Sequence, residues 1–344
     1  MPESEHRSFN ASRAALYRSP VFLEHETGAH VENASRLVAI DAELERLDLL
    51  RDRPEIPFAA ASDDALARVH DPRYIAGVRQ FAEGGGGWLD ADTAVSPHSV
   101  DVAALAAGAG VAAIDAALDG RAPRGFVLAR PPGHHATPTR GMGFCLFNTI
   151  AVAAAHALDR GLERILIVDW DVHHGNGTQD AFCDTDRVLF ASVHQWPLYP
   201  GTGAASERGR GRGEGSTINL PLAAGADDQT YTDLFDRVIL PAAAAYQPQL
   251  VLISAGFDAH AHDPLGGMRL TERGFGELAR RVVAIADEHA EGRVVAVLEG
   301  GYDPPALAAS VVATLAALDG NDASLHGGAP RFETERRLNG DAAR

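Results

Sequence analysis

A single α/β domain, with a parallel sheet covered by helices on both faces, is the fold that this sequence predicts. Three observations predict it. Short, nearly continuous apolar runs recur at 125–130, 164–171, 187–194, 249–256 and 293–300, and helical patterns at 148–160, 227–246, 271–290 and 304–318 alternate with them. Strands buried on both faces read as unbroken apolar runs, and parallel neighbours need crossover segments of helix length. The 344 residues are 46% hydrophobic and 22% charged, enough for one large core and too apolar for a disordered chain. No repeat or linker divides the chain.

In chain order, residues 1–20 read as an N-terminal arm, 21–318 as the domain and 319–344 as a C-terminal tail. A His- and Glu-rich loop leads into a helix over 35–50, with Asn33 or Ser35 as its cap. "EGGGGWLDADTAVSP" (83–97) is a glycine-rich loop, and the Ala-rich stretch 100–118 reads as a buried helix. The strand–helix alternation follows, interrupted by a second glycine-rich loop, "ERGRGRGEGS" (207–216).

Composition excludes several function classes. There is no uninterrupted run of about eighteen apolar residues, and the polar start "MPESEHRSFNASR" lacks a leader pattern, so a cytoplasmic protein without membrane spans is expected. Two cysteines, Cys145 and Cys183, cannot make a disulfide framework. A net charge of −17, with arginine as the sole strongly basic residue type, repels phosphate backbones and favours cationic partners over nucleic acid.

Ligands of open parallel sheets bind beyond the carboxyl ends of the strands. Four of the predicted strands run there into titratable clusters: "PPGHH", "DWDVHHGNGT", "GFDAHAHDP" and "EGGYDP". Asp169, Asp171 and His173 alternate, which in extended backbone puts them on one face. Asp171 and His173, joined by Asp258 from another strand end, make a set of three metal ligands. Three protein ligands leave a position for water, whose pKa a bound zinc ion lowers to about 7. Carboxylate-rich sites also suit iron or manganese. Environment should split the roles of the tandem His134 and His135, one moving a proton and the other serving as an electrostatic partner. Asp169 and Asn176 are available to orient their far nitrogens. Tyr302 follows two glycines and can donate to a developing oxyanion. His174 alternates away from the ligands. His260 and His262 read as an outer-loop pair facing solvent.

With these residues in view, the sequence resembles the histone deacetylase family over roughly residues 17–318. The resemblance rests on "HETGAHVENASR", "RPPGHHATPTRGMGFCLFNT", "VDWDVHHGNGTQDAF", "FASVHQWPLYPGTG", "SAGFDAHAHDPLGGM" and "EGGY", in that order. It implies the arginase/deacetylase fold, with a mostly parallel, eight-stranded sheet. It also implies one Zn²⁺ on Asp171, His173 and Asp258, with His135 as general base and then acid. His134 would be its electrostatic partner, held by Asp169, and Tyr302 would polarise the acetyl carbonyl. Structural K⁺ would sit on Asp169, Asp171, His173, Ser192 and Val193, and a second ion on Phe182, Thr185 and Val188. Gly143, Phe144 and Tyr199 would wall an acyl-lysine tunnel.

Asn176 and "EGGY" resemble the class II branch and its bacterial relatives. "HVE" in place of "HPE" at 30–32 alters a rim loop, and "FNT" stands where "FNN" is common. Relatives that prefer acetylated polyamines can carry a glutamate in the "DP-x-G" loop, where this chain has Leu265; Asp92 is a further acidic candidate at the rim. The implied enzyme is a zinc-dependent amidohydrolase that removes acetyl or short acyl groups from lysine side chains of proteins or peptides. The alternatives are an acetylpolyamine amidohydrolase, an arginase-like dimetal hydrolase and a non-catalytic acyl-lysine binding protein. Glycine-rich rim loops could support a homo-oligomer.

Overall fold

The computed structural model describes residues 13–321. The order of elements is β1 (Ala15–Tyr17), α1 (Ser35–Arg46), α2 (Asp63–Leu66), α3 (Pro72–Glu83), β2 (Gly87–Trp88), β3 (Ala94–Val95), α4 (Ser99–Leu118), β4 (Arg124–Val127), α5 (Thr149–Asp159), β5 (Ile165–Asp169), α6 (Asn176–Phe182), β6 (Val188–Gln195), β7 (Thr217–Leu222), α7 (Asp228–Leu234), α8 (Leu240–Tyr246), β8 (Leu250–Ala255), α9 (Glu272–His289), β9 (Val294–Leu298) and α10 (Pro304–Leu318).

Seven strands form the central sheet in the order β1-β4-β9-β8-β5-β6-β7, and every neighbouring pair is parallel. The eight strands implied by the resemblance are therefore seven among the described residues. β2 and β3 form a separate antiparallel hairpin inside the predicted glycine-rich loop. From β5 the chain steps outward through β6 to β7, then returns to the other side of β5 as β8. The chain reverses its direction of travel across the sheet at β5, and open α/β sheets bind ligands beyond the strand carboxyl ends at such a switch point.

All five residues of β5, all six of β8 and all five of β9 are buried, which explains their unbroken apolar runs. Helices α4 and α5 pack together, as do α1, α9 and α10. α4 is long and apolar enough to cross a membrane by length and composition, yet 72% of that window is buried inside the domain, as a core helix requires.

Four boundaries differ from expectation for physical reasons. Residues 13–20 are not a separate arm: Ala14, Ala15 and Tyr17 are buried, and β1 adds a parallel edge strand to β4. Nor is Asp319 in a separate tail. Its carboxylate accepts the Ala14 N–H at 2.8 Å and pairs with buried Arg53 at 2.7 Å. The remainder of both segments lies outside the described residues. α1 stops at Arg46, because Asp48 takes a left-handed conformation at φ 53°. The helix expected over 227–246 is two helices joined by a π-helical turn, Phe235–Ile239. Pro241 in the first turn of α8 lacks the N–H that would continue the regular ladder.

Breaking the Arg53–Asp319 pair should be costly, since Asp319→Ala leaves a guanidinium buried without its carboxylate. The expected destabilisation is about 3 kcal/mol, read from the midpoint of urea unfolding. A midpoint equal to the wild type's would show that the pair adds nothing.

Candidate active site

Chain direction, rather than proximity in sequence, assembles the site. β5 ends at Asp169, and the next turn presents Asp171 and His173. β8 ends at Ala255, and Asp258 follows from the adjoining loop. Ligand atoms of Asp171, His173 and Asp258 lie within 4.8 Å of one another, and all three residues are buried. His173 Nδ1 stands 3.1 Å from both Asp171 Oδ1 and Asp258 Oδ2. Burial opposes charge on His173, but hydrogen bonds to the two aspartates overcome it and raise its pKa to about 10. Burial, reinforced by the nearby Asp171 carboxylate, pushes Asp258 up to about 7. Two buried carboxylates that draw positive charge onto an imidazole are a donor set suited to a divalent cation. The trio is thus a candidate metal-binding group.

Backbone contacts fix the trio from behind. Asp258 Oδ1 accepts the Val172 N–H at 2.8 Å, and Asp171 Oδ2 accepts the Gly300 N–H at 2.9 Å. A side chain at 300 would overlap the Asp171 and Asp258 carboxylates, so only glycine allows this approach.

The tandem histidines arrive on the loop after β4. His134 Nδ1 donates to Asp169 Oδ2 at 2.9 Å, and His135 Nδ1 donates to Asn176 Oδ1 at 2.8 Å. Asn176 opens α6 and returns its amide Nδ2 to the His135 carbonyl at 3.4 Å, which orients the amide. An amide oxygen only accepts, so His135 carries its proton on Nδ1 and keeps the Nε2 lone pair free. Burial and the neighbouring His134 and His173 hold His135 well below the usual histidine range. Burial also opposes charge on His134, but Asp171 and Asp169 outweigh it and raise its pKa well above that range. The two imidazoles stand side by side, with ring centroids 4.1 Å apart, one pushed below and the other above the usual histidine range.

Tyr302 stands on the loop after β9, two residues beyond the Gly300 that holds Asp171. Arg36 lies 5.0 Å above its ring, Phe144 meets it edge-on at 5.7 Å, and its N–H is held by Asp263 at 2.6 Å. Burial pushes the phenol well above its ordinary pKa, with Arg36 opposing, so the hydroxyl stays a donor. Tyr199 stands edge-on to His135 at 5.1 Å. Gly143 and Phe144 both take positive φ, and a side chain at 143 would collide with the His135 and Tyr199 rings. Thr93, after the β2 strand, donates to Asp92 at 3.3 Å and accepts the Phe144 N–H at 3.2 Å, joining Asp92 to Phe144. Leu265 sits half-buried, and its N–H donates to Asp263 at 2.9 Å.

Asp169 and Ser192 are register partners across β5 and β6, with Val193 next on β6. Phe182 ends α6, its carbonyl accepts the Thr185 N–H at 3.2 Å, and Val188 opens β6. His174 turns away from the ligands to Thr202 at 2.8 Å and Gln179 at 3.0 Å. His260 is not a solvent-facing loop residue. It is 5% exposed, with Nε2 3.4 Å from Glu272 and Nδ1 accepting from the His262 N–H; His262 is the exposed member of the pair.

Sequence reasoning missed the polar scaffold beneath the site. Glu32, read as part of a rim loop, is wholly buried and receives Arg130 at 2.5 and 2.8 Å and Arg36 at 3.1 Å. Arg36 also donates to the carbonyls of Gly301 at 2.7 Å and Glu299 at 2.5 Å. The available signal was the i, i+4 spacing of Glu32 and Arg36, which is also that of any solvated helix pair.

This sheet and this site describe an α/β protein with a candidate metal group beside paired histidines. The Histone deacetylase domain profile matches residues 30–318. A probable deacetylase of Archaeoglobus fulgidus is 43% identical, covering 88% of this chain and 85% of its own. Human polyamine deacetylase HDAC10 is 40% identical over 85% of this chain and 45% of its own length. The crystal structure of the HDA15 HD domain superposes with a TM-score of 0.87 at 37% identity, covering 90% of this chain and 89% of that one. The chain belongs to the histone deacetylase family, and with it to the amidohydrolases that act on acetylated substrates.

Proposed function

We propose that this protein is a zinc-dependent amidohydrolase that removes acetyl or short acyl groups from lysine side chains of proteins or peptides. What supports the reading is the Asp171–His173–Asp258 group, with ligand atoms within 4.8 Å of one another, the His135 ring 5.8 Å from that of His173, and Tyr302 on the loop whose Gly300 N–H holds Asp171. Bound by those three ligands, zinc supplies Lewis-acid polarisation of the carbonyl and a more acidic water.

The chain's own residues do the remaining work. His135 accepts a proton from the attacking water at Nε2, and its Nδ1–H stays with Asn176. His134, held by Asp169 at 2.9 Å, serves as the electrostatic partner of the negative charge that develops on the carbonyl oxygen. Tyr302 donates its hydroxyl to that oxygen. His135 then passes its proton to the departing amine, so acetate and a free lysine amine are the products. Phe144 and Tyr199 flank the methylene stem, which needs apolar walls and no directional partner. K⁺ on the Asp169, Ser192 and Val193 side, and on the Phe182, Thr185 and Val188 side, belongs to this reading. A cytoplasmic location does as well, supported by two cysteines that are both free.

A second reading, acetylpolyamine hydrolysis, is favoured by the human relative's name and by the −17 charge. Leu265 favours the peptide, since leucine offers no partner to a second ammonium. Zinc-loaded enzyme should show the higher kcat/KM on an acetyl-lysine peptide than on acetylspermidine, and the reverse order would make polyamines the substrate. Leu265→Glu should move that ratio towards acetylspermidine by about tenfold, the effect of ~1.4 kcal/mol. An unchanged ratio would remove Leu265 from substrate selection.

A further inference from the structure

The loop that carries the tandem histidines is held by a carboxylate to which the reaction above gives no task. β9 ends at Leu298, and the next residue, Glu299, is completely buried. β9 lies between β4 and β8, so its carboxyl end faces the histidine loop on one side and the end of β8 on the other. Glu299 Oε2 accepts the N–H of Gly133 at 2.6 Å and that of His134 at 3.1 Å. Its Oε1 lies 3.5 Å from Ser254 Oγ on β8.

Residues 299–302 each tie down a different part of the site. The Glu299 side chain holds the histidine loop, while its backbone carbonyl accepts from Arg36. The Gly300 N–H holds Asp171, the Gly301 carbonyl accepts from Arg36, and the Tyr302 N–H is held by Asp263. The loop therefore carries the phenol and, through one side chain, fixes the backbone that carries both imidazoles. A buried carboxyl group that met no donors would be strongly disfavoured, so these two amides also account for its presence there.

We propose that Glu299 is a positioning residue: by holding the Gly133 and His134 amides it sets where His134 and His135 stand relative to Tyr302 and the Asp171–His173–Asp258 group. The task needs an acceptor oxygen at the end of a three-carbon reach. It does not need negative charge. Glutamine keeps that oxygen, with its NH₂ turned to the Ser254 hydroxyl, whereas aspartate keeps the charge but is one methylene too short. A displacement on the order of 1 Å in such a constellation costs about 100-fold in turnover.

The kinetic part of the test rests on the deacylase reading, and the structural part does not. Wild type, Glu299→Gln and Glu299→Asp are compared by kcat and KM on an acetyl-lysine peptide and by hydrogen exchange of the Gly133 and His134 amides. Glu299→Gln should stay within about threefold of wild type in kcat. Glu299→Asp should lose about 100-fold in kcat with KM little changed, and its two amides should exchange much faster. Glu299→Leu, similar in volume and without an acceptor, replaces the aspartate variant should that fail to fold, with the same expectation. Aspartate more active than glutamine would overturn the proposal in favour of charge. Equal losses that track thermal stability would reduce Glu299 to a structural residue, and unchanged exchange would overturn the anchor itself. An inactive wild type with the expected exchange pattern would sink the deacylase reading while the anchor stands.

Discussion

Tyr302→Phe lowers kcat by about 10²–10³-fold, the loss that follows removal of one oxyanion donor, while KM and bound metal stay near wild-type values. The substitution is clean because the ring's neighbours do not depend on the hydroxyl. Arg36 sits over the face at 5.0 Å, Phe144 meets the edge at 5.7 Å, and the backbone N–H stays on Asp263. Phenylalanine keeps all three contacts. The loss should also be flat between about pH 6 and pH 9, because burial raises the phenol's pKa above its ordinary value of about 10 and the hydroxyl stays protonated throughout. A kcat within about threefold of wild type would remove Tyr302 from the reaction. A loss that appears only at high pH would instead implicate a titrating phenol.

The features legible in the sequence share one property: their chemistry is written into neighbouring residues. β5, β8 and β9 are buried on both faces, so their apolar runs are unbroken and their ends stand out as abrupt clusters of His, Asp and Tyr. Asp171 and His173 lie two apart, and the structure keeps them together. Asp258 is distant in sequence, yet it follows the same strand-then-titratable pattern, which is why it could be paired with them.

The scaffold below the site has no such signature. Glu32 meets Arg130 across 98 positions, and Arg36 meets the Glu299 carbonyl across 263. Each of these residues alone reads as an ordinary surface charge, and burial becomes visible only when the sheet brings distant loops together. β1 was missed for a different reason: three residues are too few for any periodicity to register. His260 was misplaced because "AHAHD" is as polar as a solvent loop, although its backbone bridges to Leu270 and buries the imidazole.

Asp258→Ala abolishes metal binding as well as turnover, and the metal content of the purified variant is the decisive measurement. Asp258 has two oxygens with separate tasks. Oδ1 accepts the Val172 N–H in the turn between Asp171 and His173, and Oδ2 faces His173 within the ligand group. Alanine removes both, so a fold effect could mimic a metal effect. Asp258→Asn separates them, since its amide oxygen still accepts from Val172 while the ligand's charge is gone. Both variants should lose at least about 100-fold in zinc affinity, more than disturbance of an outer-shell partner causes, by chelator competition. Glu272 and the His262 N–H occupy the two nitrogens of His260, so His260→Ala should bind zinc as wild type does. One zinc per chain in Asp258→Ala would sink the ligand assignment. Lost affinity in the alanine variant with full affinity in the asparagine variant would assign the effect to the turn, because a neutral amide oxygen would then hold the ion as well as a carboxylate does.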